Sequence, residues 1–179
     1  MKRLKFFIIL LWILFSKCYD IYCTYLHTPD LSKEGNPLVS VLGFNWNWLL
    51  IVICSLTIYI CYTLYLITFK SFNLYPLEKG YSFSNFIGYM YLAKKSSWIT
   101  TFYRFPKEIK RFHFFYGNIL VRYGIFSGVV STIMWVLINN SEFYKDIHNH
   151  LVIYGILSFG IFIIVYQDFK TNYNKYQLP

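Results

Sequence analysis

The sequence predicts an all-α polytopic membrane protein with about four transmembrane helices and an interfacial amphipathic segment between the second and the third. Of its 179 residues, 56% are hydrophobic and only 14% are charged, whereas soluble domains average about 25% charged residues. Aromatic residues make up 23% of the chain, which suits a bilayer and its two interfaces. No repeat or linker indicates a second domain, so we interpret residues 1–179 as one integral membrane domain.

Four apolar stretches are long enough to span a membrane, at about 4–26, 46–69, 119–138 and 149–168. The second is the clearest because it carries no charge in 24 residues, which as a helix extend about 36 Å against a hydrocarbon core of about 30 Å. The first follows a basic cluster and has the length of a signal-peptide core. We interpret it as an uncleaved spanning helix because no small-x-small cleavage site follows.

Residues 80–111 are too polar to span the membrane and too aromatic to form a free linker. Within them, apolar side chains at helical spacing precede a basic pair, a pattern typical of a helix that lies in the membrane interface. We predict that residues 83–98 are helical, with their apolar side chains in lipid. Pro106 then ends the segment.

Basic residues are unevenly distributed among the loops. The N-terminus, the middle loop and the C-terminus hold 13 of the 17 basic residues, whereas the first and third loops hold only Lys33 and Lys145. The positive-inside rule therefore places both termini in the cytoplasm, most simply of a bacterial inner membrane. The basic middle loop would then face anionic lipids at the cytoplasmic face of the lipid bilayer, and we predict no nucleic-acid partner.

Asp20 is the first candidate functional residue, because an ionisable side chain inside a span is costly and is usually paired or functional. Thr24 and His27 follow at i+4 and i+7 on the same helix face. Two explanations of Asp20 stay open. Either Lys17, three residues earlier, neutralises the carboxylate, or a neighbouring helix supplies hydrogen-bond donors to it. Arg122 lies near the cytoplasmic end of the third span, and its side chain should extend toward the cytoplasmic surface rather than reach Asp20.

The loop before the second span contains Glu34-Gly35-Asn36-Pro37. Together with an Asp in the first span and a Thr four residues on, this Glu-x-Asn-Pro element resembles a family of small, uncharacterised bacterial membrane proteins with four helices. The resemblance covers about residues 17–50. It implies the membrane fold and interest in these positions, but no activity. With His27 added, the candidate polar site is Asp20, Thr24, His27, Glu34 and Asn36.

No catalytic or cofactor motif is present. Phosphate loops, GxSxG and HExxH are absent from the sequence, and His148-x-His150 lacks the i, i+4 spacing of two ligands on one helix face. Three of the four histidines and several acids fall on the predicted outer side, but we predict no metal site and no cofactor. The four cysteines lie in apolar stretches without a CxxC pair, so we interpret them as small buried side chains.

Small residues predict where helices pack closely. Gly124 and Gly128 form a GxxxG pair in the third span, and Gly155 and Gly160 give the fourth span a comparable surface. We predict that the hairpin of the third and fourth spans packs through these residues within one chain. Packing against a second copy or a protein partner stays open.

Because no catalytic set is assembled, an enzyme is the less favoured class, and we predict a non-catalytic structural or accessory membrane component. Two alternatives stay open. A small transporter or ion-conducting protein would use a polar path around Asp20, which requires a cavity that reaches Asp20 from outside. An intramembrane enzyme would use the outer-face acids and histidines, which requires that they converge in one pocket.

Overall fold

The computed structural model describes residues 1–32 and 34–178, so the predicted external position of Lys33 lies outside the described residues. The described chain contains helices and no strand. In chain order these are α1 (Lys2–His27), α2 (Pro37–Ser40), α3 (Trp46–Phe69), α4 (Phe83–Leu92), a 3₁₀ turn (Trp98–Phe102), α5 (Ile109–Asn140), α6 (Glu142–Ile147) and α7 (His150–Gln177). Helices α1, α3, α5 and α7 are long and apolar enough to cross a membrane. The prediction of an all-α fold with four such helices is confirmed.

Asparagine side chains begin three of these helices. In each case the side-chain oxygen accepts a hydrogen bond from a backbone N–H two or three residues further on, which satisfies a donor that the first helical turn leaves free. These capping residues are Asn36 for α2, Asn45 for α3 and Asn149 for α7. The Asn-Pro element of the first loop therefore has a local structural role, since Pro37 occupies the first helical position.

Two spanning helices extend beyond the predicted apolar stretches. Helix α5 begins ten residues before position 119, at Ile109, and α7 continues past position 168 to Gln177. Both extensions lie at the end of the bundle that carries the chain termini, which we call the terminal end. They are aromatic and polar rather than uniformly apolar, so hydropathy does not detect them. They remain helical because Phe115 and Tyr176 are buried in one cluster with α4.

The predicted continuous, lipid-facing helix over residues 83–98 is wrong. Helix α4 ends at Leu92, where Ala93 adopts a left-handed backbone conformation with φ of 58°, and the 3₁₀ turn follows separately. Phe86 and Met90 of α4 are buried against α5 and α7. The apolar face that the sequence assigns to lipid is used inside the protein.

Arg111 fixes α4 to the first turn of α5. One of its guanidinium nitrogens donates to the carbonyl oxygens of Tyr89 and Met90, at 3.1 and 3.0 Å. These carbonyls belong to the last turn of α4, where a positive charge is favoured, and the Tyr89 carbonyl also accepts the backbone N–H of Ala93. The buried arginine therefore has a structural role at the terminal end.

Helix α5 is the centre of the bundle, because it packs against each of the other three spanning helices. Helices α1 and α3 also pack on one another, whereas α7 makes its main contacts with α5. Toward the terminal end, Ile13 of α1, Ile60 and Leu64 of α3 and Val121 of α5 form a buried apolar cluster. This cluster, the lower core, packs α1, α3 and α5 together in that half of the bundle.

The small residues of α5 face α1 and α3 rather than α7. A Cβ atom added at Gly128 would lie 2.9 Å from the Cβ atom of Ser16, and one at Gly124 would contact Ile60. The predicted packing of the third and fourth spans through this GxxxG pair is therefore wrong, because the close approach occurs where α1 also presents a small residue. In the fourth span, Gly160 does face α5, whereas Gly155 has no described neighbour within 4 Å.

Candidate functional site

The half of the bundle away from the terminal end contains a cavity of about 590 Å³, to which all four spanning helices contribute. The loops between α1 and α3 and between α5 and α7 also line it. The five residues of the predicted polar site all lie on its wall: Asp20, Thr24, His27, Glu34 and Asn36. Lys17, His148 and His150 line the same cavity. The structure therefore brings the carboxylate of the first apolar helix together with groups from two separate loops.

One face of α1 forms the polar wall. Lys17, Asp20, Thr24 and His27 are three or four residues apart, so they follow one another along a single stripe of the helix. Asp20 lies seven residues before the end of α1, which is about 10 Å along the helix axis. The cavity thus extends well below the level at which α1 ends.

Asp20 is held by α5. One carboxylate oxygen accepts hydrogen bonds from the Ser131 hydroxyl at 2.5 Å and from the Trp135 indole N–H at 2.7 Å. Lys17 lies on the same wall, but the ion pairs within 4 Å in the described chain are formed by Arg122 with Asp168 and by Lys145 with Glu142. Of the two explanations that the sequence leaves open, donors from a neighbouring helix account for the contacts of Asp20.

His27 presents a defined ring orientation higher on the same cavity wall. Its Nδ1 atom lies 3.0 Å from the carbonyl oxygen of Cys23. A carbonyl only accepts, so Nδ1 carries the hydrogen and Nε2 is the acceptor of the neutral ring. The imidazole also packs against Trp135, with ring centroids 4.9 Å apart. Trp135 therefore links the carboxylate of α1 to the histidine that ends the same helix.

Glu34 lies where the first loop meets the start of α7. Its carboxylate accepts a hydrogen bond from the backbone N–H of Asn36 at 2.9 Å. Burial raises the pKa of the Glu34 carboxyl, against the effect of this hydrogen bond, while the nearby charge of Asp20 raises it further and His150 lowers it. A Cβ atom at Gly35 would lie 2.6 Å from Cγ of His150. Glycine at this position therefore lets the imidazole lie directly against the loop.

His148 contributes a second imidazole near the cavity mouth. Its Nδ1 atom is buried and has no hydrogen-bond partner among the described residues. Burial lowers the pKa of His148, and the neighbouring His150 lowers it further, so the ring favours its neutral form. Within residues 1–32 and 34–178 no group of three or more His, Cys, Asp or Glu side chains is arranged to hold a metal ion. Asp30, Glu142 and Asp146, the acids that the sequence assigns to the outer side, do not line the cavity.

A second polar cluster lies on α5 and α7, away from these residues. Arg122 pairs with the buried Asp168 at 3.6 Å, and Asp168 also accepts hydrogen bonds from Asn118 and Asn172. The expectation that Arg122 does not reach Asp20 agrees with this contact. Sequence reasoning missed Asp168, although it is an ionisable residue within the predicted fourth span, 149–168, and the same signal identified Asp20.

The fold and the cavity define a four-helix polytopic membrane protein with a polar cavity at one end of the bundle. Comparison of the chain with protein-family models, with curated proteins and with solved structures finds no match. The resemblance to a family of small bacterial membrane proteins therefore stays a prediction. What the cavity does has to be argued from its own residues.

Proposed function

We propose that this chain binds a small polar ligand in the cavity around Asp20, as the binding step of a small transporter or ion-translocating protein. The observation that supports it is the continuous polar wall from the loop residue Glu34 down to Asp20, within the apolar part of the bundle. Protein interiors are otherwise closely packed, and a charged group at that depth is costly. A purely structural helix bundle needs neither a cavity nor a charged side chain at that depth.

The lining indicates which ligands suit the cavity. Asp20 and Glu34 supply two carboxylates, and Trp135, Tyr123 and Tyr154 supply aromatic rings that line the same cavity. Carboxylates attract cations and strong hydrogen-bond donors, and aromatic faces attract organic cations. The favoured ligand class is therefore an inorganic cation or a small molecule that carries an amine or several hydroxyl groups.

The cavity is closed toward the terminal end by the lower core. The buried contacts among Ile13, Ile60, Leu64 and Val121 leave α1, α3 and α5 in close contact there. An open pore is thus not the favoured mechanism, and passage across the membrane requires a conformational change. Helix α7 is the candidate moving element. Only 6% of the residues in its most apolar 18-residue stretch are buried, and its main contacts are with α5.

The proposal includes an orientation, with the terminal end in the cytoplasm and the cavity facing outward, most simply in a bacterial inner membrane. The concentration of basic residues at the terminal end supports it. Reporter fusions after Lys33 and after Lys145 are expected to report an external position, and fusions after Lys95 a cytoplasmic one. An external signal after Lys95 would contradict the orientation and would turn the cavity toward the cytoplasm.

Water access to the cavity provides a direct test with a matched control. Ser131 lies on the cavity wall of α5, nine residues before Asn140, and Ser55 is exposed on α3, nine residues after Trp46. Each position is about 14 Å from its helix end. In a chain without native cysteines, a membrane-impermeant maleimide added from outside should label Ser131→Cys and spare Ser55→Cys, because lipid covers the second site.

Equal labelling of both positions, or labelling of Ser55→Cys alone, would contradict a water-filled cavity. The native cysteines to be replaced are Cys18, Cys23, Cys54 and Cys61. Excess Na⁺, choline or ethanolamine can be added as probe ligands. A ligand bound beside Asp20 should slow the labelling of Ser131→Cys, and the same probe should have no effect when Asp20 is also changed to Asn.

The contact between His150 and the loop of Glu34 favours a second candidate, an intramembrane enzyme. A carboxyl group with a raised pKa beside an imidazole is a suitable acid–base pair. Turnover of a lipid-linked substrate that is lost in His150→Ala and Glu34→Gln would favour this class over transport. If cavity variants have no phenotype in a strain that needs the protein, a structural or accessory role is favoured instead.

A further inference from the structure

The segment that joins α4 to α5, residues 94–110, exposes large apolar side chains at the terminal end. Phe102 and Phe105 are 76% and 79% exposed, which is unusual for aromatic residues next to a well-packed cluster. We call this segment the aromatic–basic platform. Its other exposed apolar residues are Trp98, Ile99, Tyr103 and Ile109.

Positive charge surrounds these side chains. The platform contains five exposed basic residues, Lys94, Lys95, Arg104, Lys107 and Lys110, and a single acid, Glu108. None of the five forms an ion pair within 4 Å in the described chain. Arg104 lies over the ring of Tyr103, with its Cζ atom 5.7 Å from the ring centroid. Apolar and cationic groups therefore occupy one surface, where five basic residues outnumber one acid.

The position of the platform follows from the length of α5. The platform includes Ile109, the first residue of a 32-residue helix, which is about 48 Å long. A bilayer measures about 40–45 Å including both headgroup layers. A helix of that length reaches both headgroup layers, so its first residue and the platform beside it lie at headgroup level. Helix α4, which precedes the platform, uses its own apolar face inside the protein.

We propose that the aromatic–basic platform docks on the anionic headgroups of the surrounding membrane. Its aromatic side chains enter the boundary between headgroups and acyl chains, and its arginine and lysine side chains contact lipid phosphates. Charge complementarity selects this occupant, because clusters of basic residues at a membrane surface attract anionic lipids and an apolar patch among them anchors the contact. The inference does not depend on what the cavity binds.

Lipid selectivity of the full chain tests the proposal. In vesicles of phosphatidylcholine, spin-labelled phosphatidylglycerol should associate with the protein more strongly than spin-labelled phosphatidylcholine, and salt should reduce the difference. The combined variant Arg104→Gln, Lys107→Gln and Lys110→Gln should lower this selectivity by at least about fivefold, since each basic residue at the surface contributes a preference on the order of fivefold.

The matched control removes three charges from the same end of the bundle, as Lys2→Gln, Arg3→Gln and Lys5→Gln. It should retain most of the selectivity. An equal loss in both variants, or no selectivity in the native chain, would overturn the proposal, because general positive charge would then suffice. A fluorophore at Phe102→Cys gives an independent measurement. Brominated lipid should quench it in vesicles of purified protein, and an unquenched fluorophore would assign the platform to a protein partner and reject lipid docking.

Discussion

Replacement of Asp20 with Leu is expected to destabilise the folded protein by about 1–3 kcal/mol, because it leaves the buried indole N–H of Trp135 on α5 without its acceptor. The Ser131 hydroxyl can turn to a carbonyl of its own helix, but the Trp135 indole N–H is fixed by its ring and cannot. Asn at position 20 keeps a side-chain oxygen at this place. Asp20→Asn should therefore insert and fold normally while losing the charge.

Double-mutant cycles measure which partner Asp20 has. Unfolding in lipid bicelles should give a coupling energy of about 0.5–3 kcal/mol between Asp20→Leu and Trp135→Phe, as expected for side chains in contact. The cycle of Asp20→Leu with Lys17→Leu is the control. It should show little coupling, because Lys17 makes no ion pair with Asp20 within 4 Å. A larger coupling with Lys17 would restore the explanation by neutralisation within α1.

Growth or uptake that depends on this protein tests whether the negative charge of Asp20 is required. If Asp20 receives the ligand, Asp20→Asn should abolish the growth or uptake that depends on this protein, without loss of protein from the membrane. Trp135→Phe should weaken the same function less, because it alters the position of the carboxylate and leaves its charge. A silent Asp20→Asn would leave α1 with an anchoring role only.

The polar stripe on α1 could be predicted from the sequence, because it depends only on the local geometry of the helix. Asp20, Thr24 and His27 are spaced for one helix face whatever surrounds the helix. The hydrogen-bond partners of Asp20 could not be predicted, because Ser131 and Trp135 are separated from it by more than a hundred residues of sequence. Hydropathy assigns both helices to the membrane but does not say which faces meet. The same limit explains why the ion pair of Arg122 with Asp168 was missed.

The segment before α5 shows a different limit. Amphipathic periodicity indicates that one side of α4 is apolar, and a bilayer or a protein core satisfies that side equally. The structure uses the protein core, because Phe115 and Tyr176 on the extensions of α5 and α7 complete the cluster around Phe86. These extensions fall outside the apolar stretches that hydropathy identifies. The surface that packs on α4 could therefore not be predicted from hydropathy.

Close packing of α5 on α1 gives the last prediction, which concerns Gly128. A Cβ atom there would lie 2.5 Å from Oγ and 2.9 Å from Cβ of Ser16, which is 1% exposed. Gly128→Leu must therefore push α1 away from α5. Overpacking of this kind costs about 1–3 kcal/mol or more, and Ser16 lies one turn before Asp20, so the displacement also separates the carboxylate from Ser131 and Trp135.

Gly155→Leu is the matched control, because the added side chain meets no described atom within 4 Å of its Cβ. Thermal unfolding in bicelles should show a large loss of stability for Gly128→Leu and little change for Gly155→Leu. In the cysteine-free background, Gly128→Leu should also alter the rate at which Ser131→Cys is labelled, since the cavity wall moves with α1. If Gly155→Leu were the more damaging change, the small surface of α7 would be a contact with another chain, and the packing of α5 on α1 would not be the contact that maintains the site.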